Sequence, residues 1–149
     1  MVISEAGKDF IRGHEGLRLV AYRDGGGVLT IGYGHTGADV KPDSGWRIEQ
    51  AEAALDADLQ RIEACINNAV MVDLEQPQFD ALCSFVFNLG CRALNNSTLL
   101  RKIKAGDMLG AALEFKKWCY DDHKIVAGLL ARRIAERDMF SGTSEIKEA

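Results

Sequence analysis

The stretch that decides the fold runs from Glu15 to Gly37: EGLRLVAYRDGGGVLTIGYGHTG. LRLVAY (17–22) and VLTIGYGH (28–35) read as β-rich, and RDGGG (23–27) breaks the run between them. Asp24-Gly25, followed by two more glycines, supplies the positive φ that a hairpin turn needs. A polar stretch, TGADVKPDSG (36–45), closes the segment.

On both sides the pattern turns helical. Ser4 is placed to cap a short helix that ends near Gly13, with Ile3, Phe10 and Ile11 as apolar contacts. From about residue 48 to 67, Ile48, Ala51, Leu55, Leu59, Ile62 and Ile66 recur at three- and four-residue steps, with acids between them. This predicts the longest helix, about 18 residues or about 27 Å, able to join two lobes. Pro77 suits the first turn of the next helix, which turns Phe79, Leu82, Phe85 or Val86, and Leu89 inward and stops near Gly90. Ser97-Thr98 opens a short helix ending near Gly106. Asp107 caps another that runs to about Trp118, and a last helix spans roughly 129–140 and stops near Gly142. The predicted class is α+β in a single domain, 1–149. It has a β-rich lobe over about 14–45, a helical lobe over about 67–149, and the first helix packed on the helical lobe.

Composition agrees with one packed domain. The chain has 149 residues, 47% apolar and 27% charged, with a net charge of -4. That balance offers no basic excess to neutralise a phosphate backbone. No apolar run approaches the ~18 residues of a membrane span. MVISEAGKDFIRGHEG (1–16) lacks a charged segment followed by an apolar one, so no export signal or anchor helix is expected. Residues 41–80 carry nine acids against three bases, and residues 101–140 nine bases against six acids. This is read as a solvated acidic face beside a mildly basic half, or as a cleft with one wall that favours anionic ligands. Cys65, Cys83, Cys91 and Cys119 show no C-x-x-C spacing and are read as reduced, mostly buried thiols. His14, His35 and His123 have no metal-ligand spacing. Gly25 to Gly27 lack the Gly-Lys-Ser/Thr of a phosphate loop.

Three residues carry candidate chemistry. Glu15 follows the first helix, Asp24 sits at the hairpin turn, and Thr30 lies in the returning strand. Glycoside hydrolysis wants two carboxyl groups: one protonates the leaving oxygen, the other stabilises positive charge or activates water. A general acid working near neutral pH needs an elevated pKa, which partial burial provides. Each residue also has a plainer reading. Glu15 is then an exposed helix-end charge, Asp24 a turn former and Thr30 an ordinary strand residue. Spacing alone leaves both readings open.

Glu15, eight residues, Asp24, five residues and Thr30 together resemble the catalytic Glu/Asp/Thr triad of the phage-type lysozymes, glycoside hydrolase family 24. TIGYGHTG (30–37) resembles the family's strand, and QFDAL (78–82) with Phe85 and FNLG (87–90) its core helix. STLL (97–100) and AGD (105–107) resemble its next two helix starts. Trp118, Gly128-Leu129, Arg132-Arg133, Glu136 and Phe140 resemble its C-terminal part, so the similarity covers roughly residues 3–141.

The resemblance implies a lysozyme-like fold and an endolysin that hydrolyses the β-1,4 bond between N-acetylmuramic acid and N-acetylglucosamine in peptidoglycan, causing host lysis. Glu15 would donate the proton, Asp24 would be the second carboxylate and Thr30 would place the water. Inversion, the outcome usually ascribed to the family, needs carboxyl groups far enough apart to admit that water. His35 would be structural, paired with an acid of the helical part. Phe87, Ser97 and Thr98 would lie near the substrate, their plainer roles being core packing and helix capping. No cofactor or metal is implied. The partners would be glycan strands and, for release from the host cytoplasm, a holin, with the chain a monomer. The rivals are a lytic transglycosylase and a non-catalytic wall-binding domain. Many members place Thr or Ser at the start of the long helix. Here Glu49 follows Ile48, and Ser44 is expected to cap instead.

Overall fold

A computed structural model describes residues 1–142 and contains seven helices and two small antiparallel sheets among them. Helix α1 (Glu5–Glu15) starts where expected, the Ser4 hydroxyl accepting from the Gly7 N–H at 3.0 Å. It does not stop at Gly13. The chain turns left-handed instead at Gly16 (φ 71°), whose N–H bonds to the Arg12 carbonyl at 2.9 Å. Glu15 is thereby the last residue of the helix rather than the first beyond it.

Strands β1 (Arg18–Arg23) and β2 (Leu29–Gly32) form the hairpin, with Tyr22 opposite Thr30 and Arg23 opposite Leu29. The other edge of β1 bonds to the loop before the long helix, through Trp46 N–H to the Leu19 carbonyl at 2.8 Å and Ala21 N–H to the Ser44 carbonyl at 3.0 Å. Helix α2 (Ile48–Ala69) is longer than its periodicity suggested, at 22 residues, and buries Ala51, Leu55, Leu59 and Ile66. Ser44 does not cap it, because its hydroxyl accepts from the Lys41 N–H at 2.9 Å. Gln50 reaches back instead and accepts from the Arg47 N–H at 2.8 Å.

Helix α3 (Gln76–Leu89) carries Pro77 in its first turn and buries Phe79, Leu82, Phe85 and Val86 together. After Gly90 (φ 95°) a short helix α4 (Cys91–Asn95) intervenes, which periodicity did not reveal. Helix α5 (Thr98–Lys104) is capped by Ser97, and α6 (Met108–Glu114) by Asp107, which accepts from the Gly110 N–H at 2.9 Å. A 3-10 turn (Phe115–Lys117) leads into a second small hairpin, β3 (Tyr120–Asp121) and β4 (Lys124–Ile125). Its corner is Asp122 (φ 49°) and His123 (φ 63°), so no glycine announced it. Helix α7 (Ala127–Ser141) completes the described chain and stops at Gly142 (φ 72°).

The chain divides into two compact units, one formed by Asp9–Arg61 and the other by Met1–Lys8 with the chain from Ile62 on. Helices α1 and α2 each supply residues to both. The larger unit has an aromatic core in which Phe115 and Trp118 meet Phe85 edge-on, at centroid distances of 5.7 and 5.5 Å. Beside it lies a fully buried ion pair: Arg133 Nε is 2.6 Å from Glu136 Oε1, and Ser84 donates to Glu136 Oε2. Burial pushes the Glu136 carboxyl up, against the opposing pull of Arg133, Ser84 and Arg132.

The expectation of four reduced thiols fails for two of them. Cys65 and Cys91 form a disulfide, with Cα atoms 6.1 Å apart, whereas Cys83 and Cys119 are free and buried. The partners are 26 positions apart and meet only because α2 and α4 come together in the fold.

Candidate active site

Helix α1 delivers Glu15 at its final position, half-exposed. The backbone that meets it belongs to the turn after β2. Ile31 and His35 exchange two backbone hydrogen bonds of 2.9 Å, so residues 32–34 form a tight tip. Gly32 and Gly34 both sit at φ 68°. A Cβ on Gly34 would lie 2.5 Å from Glu15 Oε1 and 3.2 Å from its carboxyl carbon. The peptide at Gly34 thus abuts the acid, and only glycine permits both that approach and that backbone angle.

Asp24 is exposed at the first hairpin, and its orientation is fixed by its own turn. Its Oδ1 accepts from the N–H groups of Gly26 and Val28, both at 2.9 Å. Its own N–H bonds to the Val28 carbonyl at 3.0 Å. The same carbonyl accepts from the buried Thr30 hydroxyl at 2.9 Å. Asp24 and Thr30 are therefore tied to a single peptide group. Asp24 Oδ2 accepts no hydrogen bond among the described residues, which leaves it available to a ligand or water.

His35 holds the base of the turn. Its Nδ1 lies 2.8 Å from Asp58 on α2 and its Nε2 3.0 Å from Asp39. Burial pulls the imidazole's pKa down, but the hydrogen bonds and charges of Asp58 and Asp39 outweigh it, and the net shift is upward. Arg61 also bonds to Asp58.

Three further residues come together here that spacing did not single out. Arg12, one turn before Glu15, grips Glu52 of α2 with two hydrogen bonds, Nε to Oε1 at 3.1 Å and Nη2 to Oε2 at 2.7 Å. Tyr33, at the tip of the turn, lies near the same carboxylate. Its phenol is pushed above the ordinary value, by burial first and then by Glu52. Arg12 and Tyr33 flank residues already of interest, one on the face of α1 that ends in Glu15 and one inside TIGYGHTG. Glu52 had no signal beyond membership of an acidic helix.

Glu15, Asp24 and Thr30 thus all belong to the Asp9–Arg61 unit, and Phe87, Ser97 and Thr98 to the other. Ser97 is buried, with its hydroxyl donating to the Leu94 carbonyl at 2.7 Å and accepting from the Leu100 N–H at 3.0 Å, so it is committed to capping. Thr98 accepts from Arg101 at 2.7 Å, and Phe87 is half-exposed on α3. An acid at a helix end, together with a carboxylate and hydroxyl locked in one hairpin, is a set suited to acid–base cleavage of a glycosidic bond.

A family model described as phage lysozyme matches residues 12–136. An endolysin of Acyrthosiphon pisum secondary endosymbiont phage 1 is 43% identical over 144 residues, covering 94% of this chain and 98% of the relative. Among solved structures, the endolysin from Escherichia coli O157:H7 phage FAHEc1 superposes with a TM-score of 0.86 at 38% identity, covering 95% of this chain and 94% of that one. The muramidase domain of SpmX from Asticaccaulis excentricus gives 0.85 at 37%, covering 93% and 96%.

Proposed function

Because the chain belongs to the phage lysozyme family, we propose that this endolysin, which degrades peptidoglycan, does so by hydrolysing the β-1,4 bond between N-acetylmuramic acid and N-acetylglucosamine. Glu15 donates its proton to the glycosidic oxygen as the C1–O bond breaks. The Asp24 carboxylate stabilises the positive charge that develops at C1 and takes the proton of the incoming water, whose hydroxyl adds to C1. The Thr30 hydroxyl donates to the Val28 carbonyl, which leaves its oxygen lone pairs to orient that water.

The observation that carries this reading is the Asp24 hairpin. Two backbone N–H groups hold one carboxylate oxygen while the other accepts no bond among the described residues, and the Asp24 N–H and the Thr30 hydroxyl both donate to the Val28 carbonyl. A lytic transglycosylase needs the acid but can dispense with this second carboxylate. Glu15→Gln should abolish clearing of outer-membrane-permeabilised bacteria while leaving the fold intact, and retained clearing overturns the assignment. Mass spectrometry of the released muropeptides should find reducing ends, whereas anhydro sugars would indicate transglycosylation.

No helix among the described residues is long and apolar enough to cross a membrane. The proposed route is accumulation in the host cytoplasm, as a monomer, followed by release through a holin. Closure of Cys65–Cys91 suits the oxidising space beyond the membrane. Expression without a holin should leave cells intact, and prompt lysis would refute this route.

A further inference from the structure

Helix α6 (Met108–Glu114) distributes its side chains the wrong way round. It buries Ala111, Ala112 and the charged Glu114, and Phe115 just beyond it is buried too. Leu109 and Leu113, one turn apart, face outward and are 72% and 59% exposed. An amphipathic surface helix ordinarily turns leucine in and glutamate out. Glu114 is held in place by Lys117, whose Nζ lies 2.5 Å from Oε2. Around the leucines the exposed charges are mostly positive. Lys116 and Lys117 are exposed in the 3-10 turn that follows, and α5, which packs on α6, adds exposed Arg101 and Lys104. Residues 98–118 hold five bases (Arg101, Lys102, Lys104, Lys116 and Lys117) against two acids, in a chain whose net charge is -4. Of those acids Glu114 is buried, and Asp107 caps α6.

We propose that this face is a lipid-docking surface. It seats α6 on a bilayer containing phosphatidylglycerol, with Leu109 and Leu113 entering the acyl boundary and Lys104, Lys116 and Lys117 meeting the phosphates. The occupant follows from the pairing of leucine with lysine. A glycan strand offers the leucines nothing apolar. An acidic protein would answer the charge, but two leucines on a seven-residue helix make a small core for a protein interface. An anionic bilayer supplies phosphate at its surface and hydrocarbon just beneath it, so it satisfies both kinds of side chain at once. Lysine suits that boundary, because its stem lies along apolar surface while the ammonium stays with the headgroups. The chain as a whole is acidic and is repelled by such a surface. Attachment is therefore local, reversible and sensitive to salt. None of this depends on the reading of Glu15 as the acid.

The test is cosedimentation of the full chain with vesicles of phosphatidylglycerol and phosphatidylethanolamine, and with vesicles of phosphatidylcholine alone. The protein should bind the first and not the second. Raising salt from about 0.1 M to about 1 M, which shortens the Debye length from about 10 Å to about 3 Å, should release most of it. Leu109→Gln/Leu113→Gln should weaken binding at least about tenfold, and Lys116→Gln about fivefold. Lys117 is left intact, because its removal would strand the buried Glu114 carboxylate. Met71→Gln is the control for exposure alone: Met71 is 84% exposed but lies in the acidic 41–80 stretch, and its loss should leave binding unchanged. Glu15→Gln should also bind as wild type does, which separates docking from hydrolysis. Thermal melting of each variant should stay close to wild type. If the double leucine variant does not fold, Lys116→Gln and Lys104→Gln, both at exposed positions, decide the question. Failure to bind the anionic vesicles, equal binding to phosphatidylcholine, wild-type binding by the α6 and lysine variants, or an equal loss in Met71→Gln would each overturn the proposal.

Discussion

Opening the Cys65–Cys91 bond removes a covalent link between α2 and α4 without altering any catalytic side chain. The size of the effect follows from the loop it closes. For partners 26 positions apart, the chain-entropy relation gives about 12 cal/mol/K, or about 3.5 kcal/mol at 25 °C. Unfolding entropy is about 2.1 cal/mol/K per residue, so for 149 residues this loss lowers Tm by about 11 °C. The assay is thermal and urea unfolding of the oxidised protein, of the same protein with reductant, and of the Cys65→Ser/Cys91→Ser double variant. Thiol titration in denaturant should find two reactive thiols before reduction and four after it, since Cys83 and Cys119 are free. The native protein should react slowly, because both of those thiols are buried and burial pushes the Cys83 thiol up. If the oxidised and reduced proteins melt together, or four thiols titrate without reductant, the reasoning fails.

Gly34→Ala should cost about 1–2 kcal/mol for its left-handed backbone and also suppress turnover, because the new Cβ would fall 2.5 Å from Glu15 Oε1. Gly16→Ala is the control: at φ 71° it carries the same backbone strain but meets nothing within 4 Å, so it should lose stability and keep kcat. The His35 cluster predicts a pH signature. Because His35 is raised in the fold, its contribution is full below the unfolded value of about 6.5 and disappears as pH climbs through the folded value. The stability gap between wild type and His35→Asn, followed by urea unfolding, should therefore narrow from pH 6 towards alkaline pH, and a constant gap would contradict the assignment. Arg133→Met leaves the Glu136 carboxylate buried without its main cation and should cost about 3–5 kcal/mol by urea unfolding. Arg133→Met/Glu136→Leu should recover much of that loss.

What could be read from residues alone followed the kind of rule each feature obeys. The first hairpin was legible because Asp24-Gly25-Gly26-Gly27 states its turn chemistry outright, and α2 because its apolar residues repeat at helical spacing. Ser97 and Asp107 were legible as caps for the same local reason. The second hairpin was not, since Asp122 and His123 take positive φ without a glycine. Nor was the end of α1, where Gly13 and Gly16 satisfy the same local rule and only one becomes left-handed. Cys65–Cys91 depends on a tertiary meeting that no local pattern encodes. The candidate site divides in the same way. Glu15, Asp24 and Thr30 stood out as candidates by residue type, and only their resemblance to the family's Glu/Asp/Thr triad favoured that reading over the plainer one. The Val28 carbonyl, which ties Asp24 to Thr30, could not, because every residue carries a carbonyl. Glu52 was one of nine acids in residues 41–80, and its two-point grip on Arg12 is a fact of α1 and α2 meeting. Side chains that react are chosen by type, and those that aim them are chosen by place. It follows that a substitution at Gly34, whose Cβ would fall 2.5 Å from Glu15 Oε1, should separate turnover from binding more cleanly than changes to Asp24, whose carboxylate would meet the substrate itself.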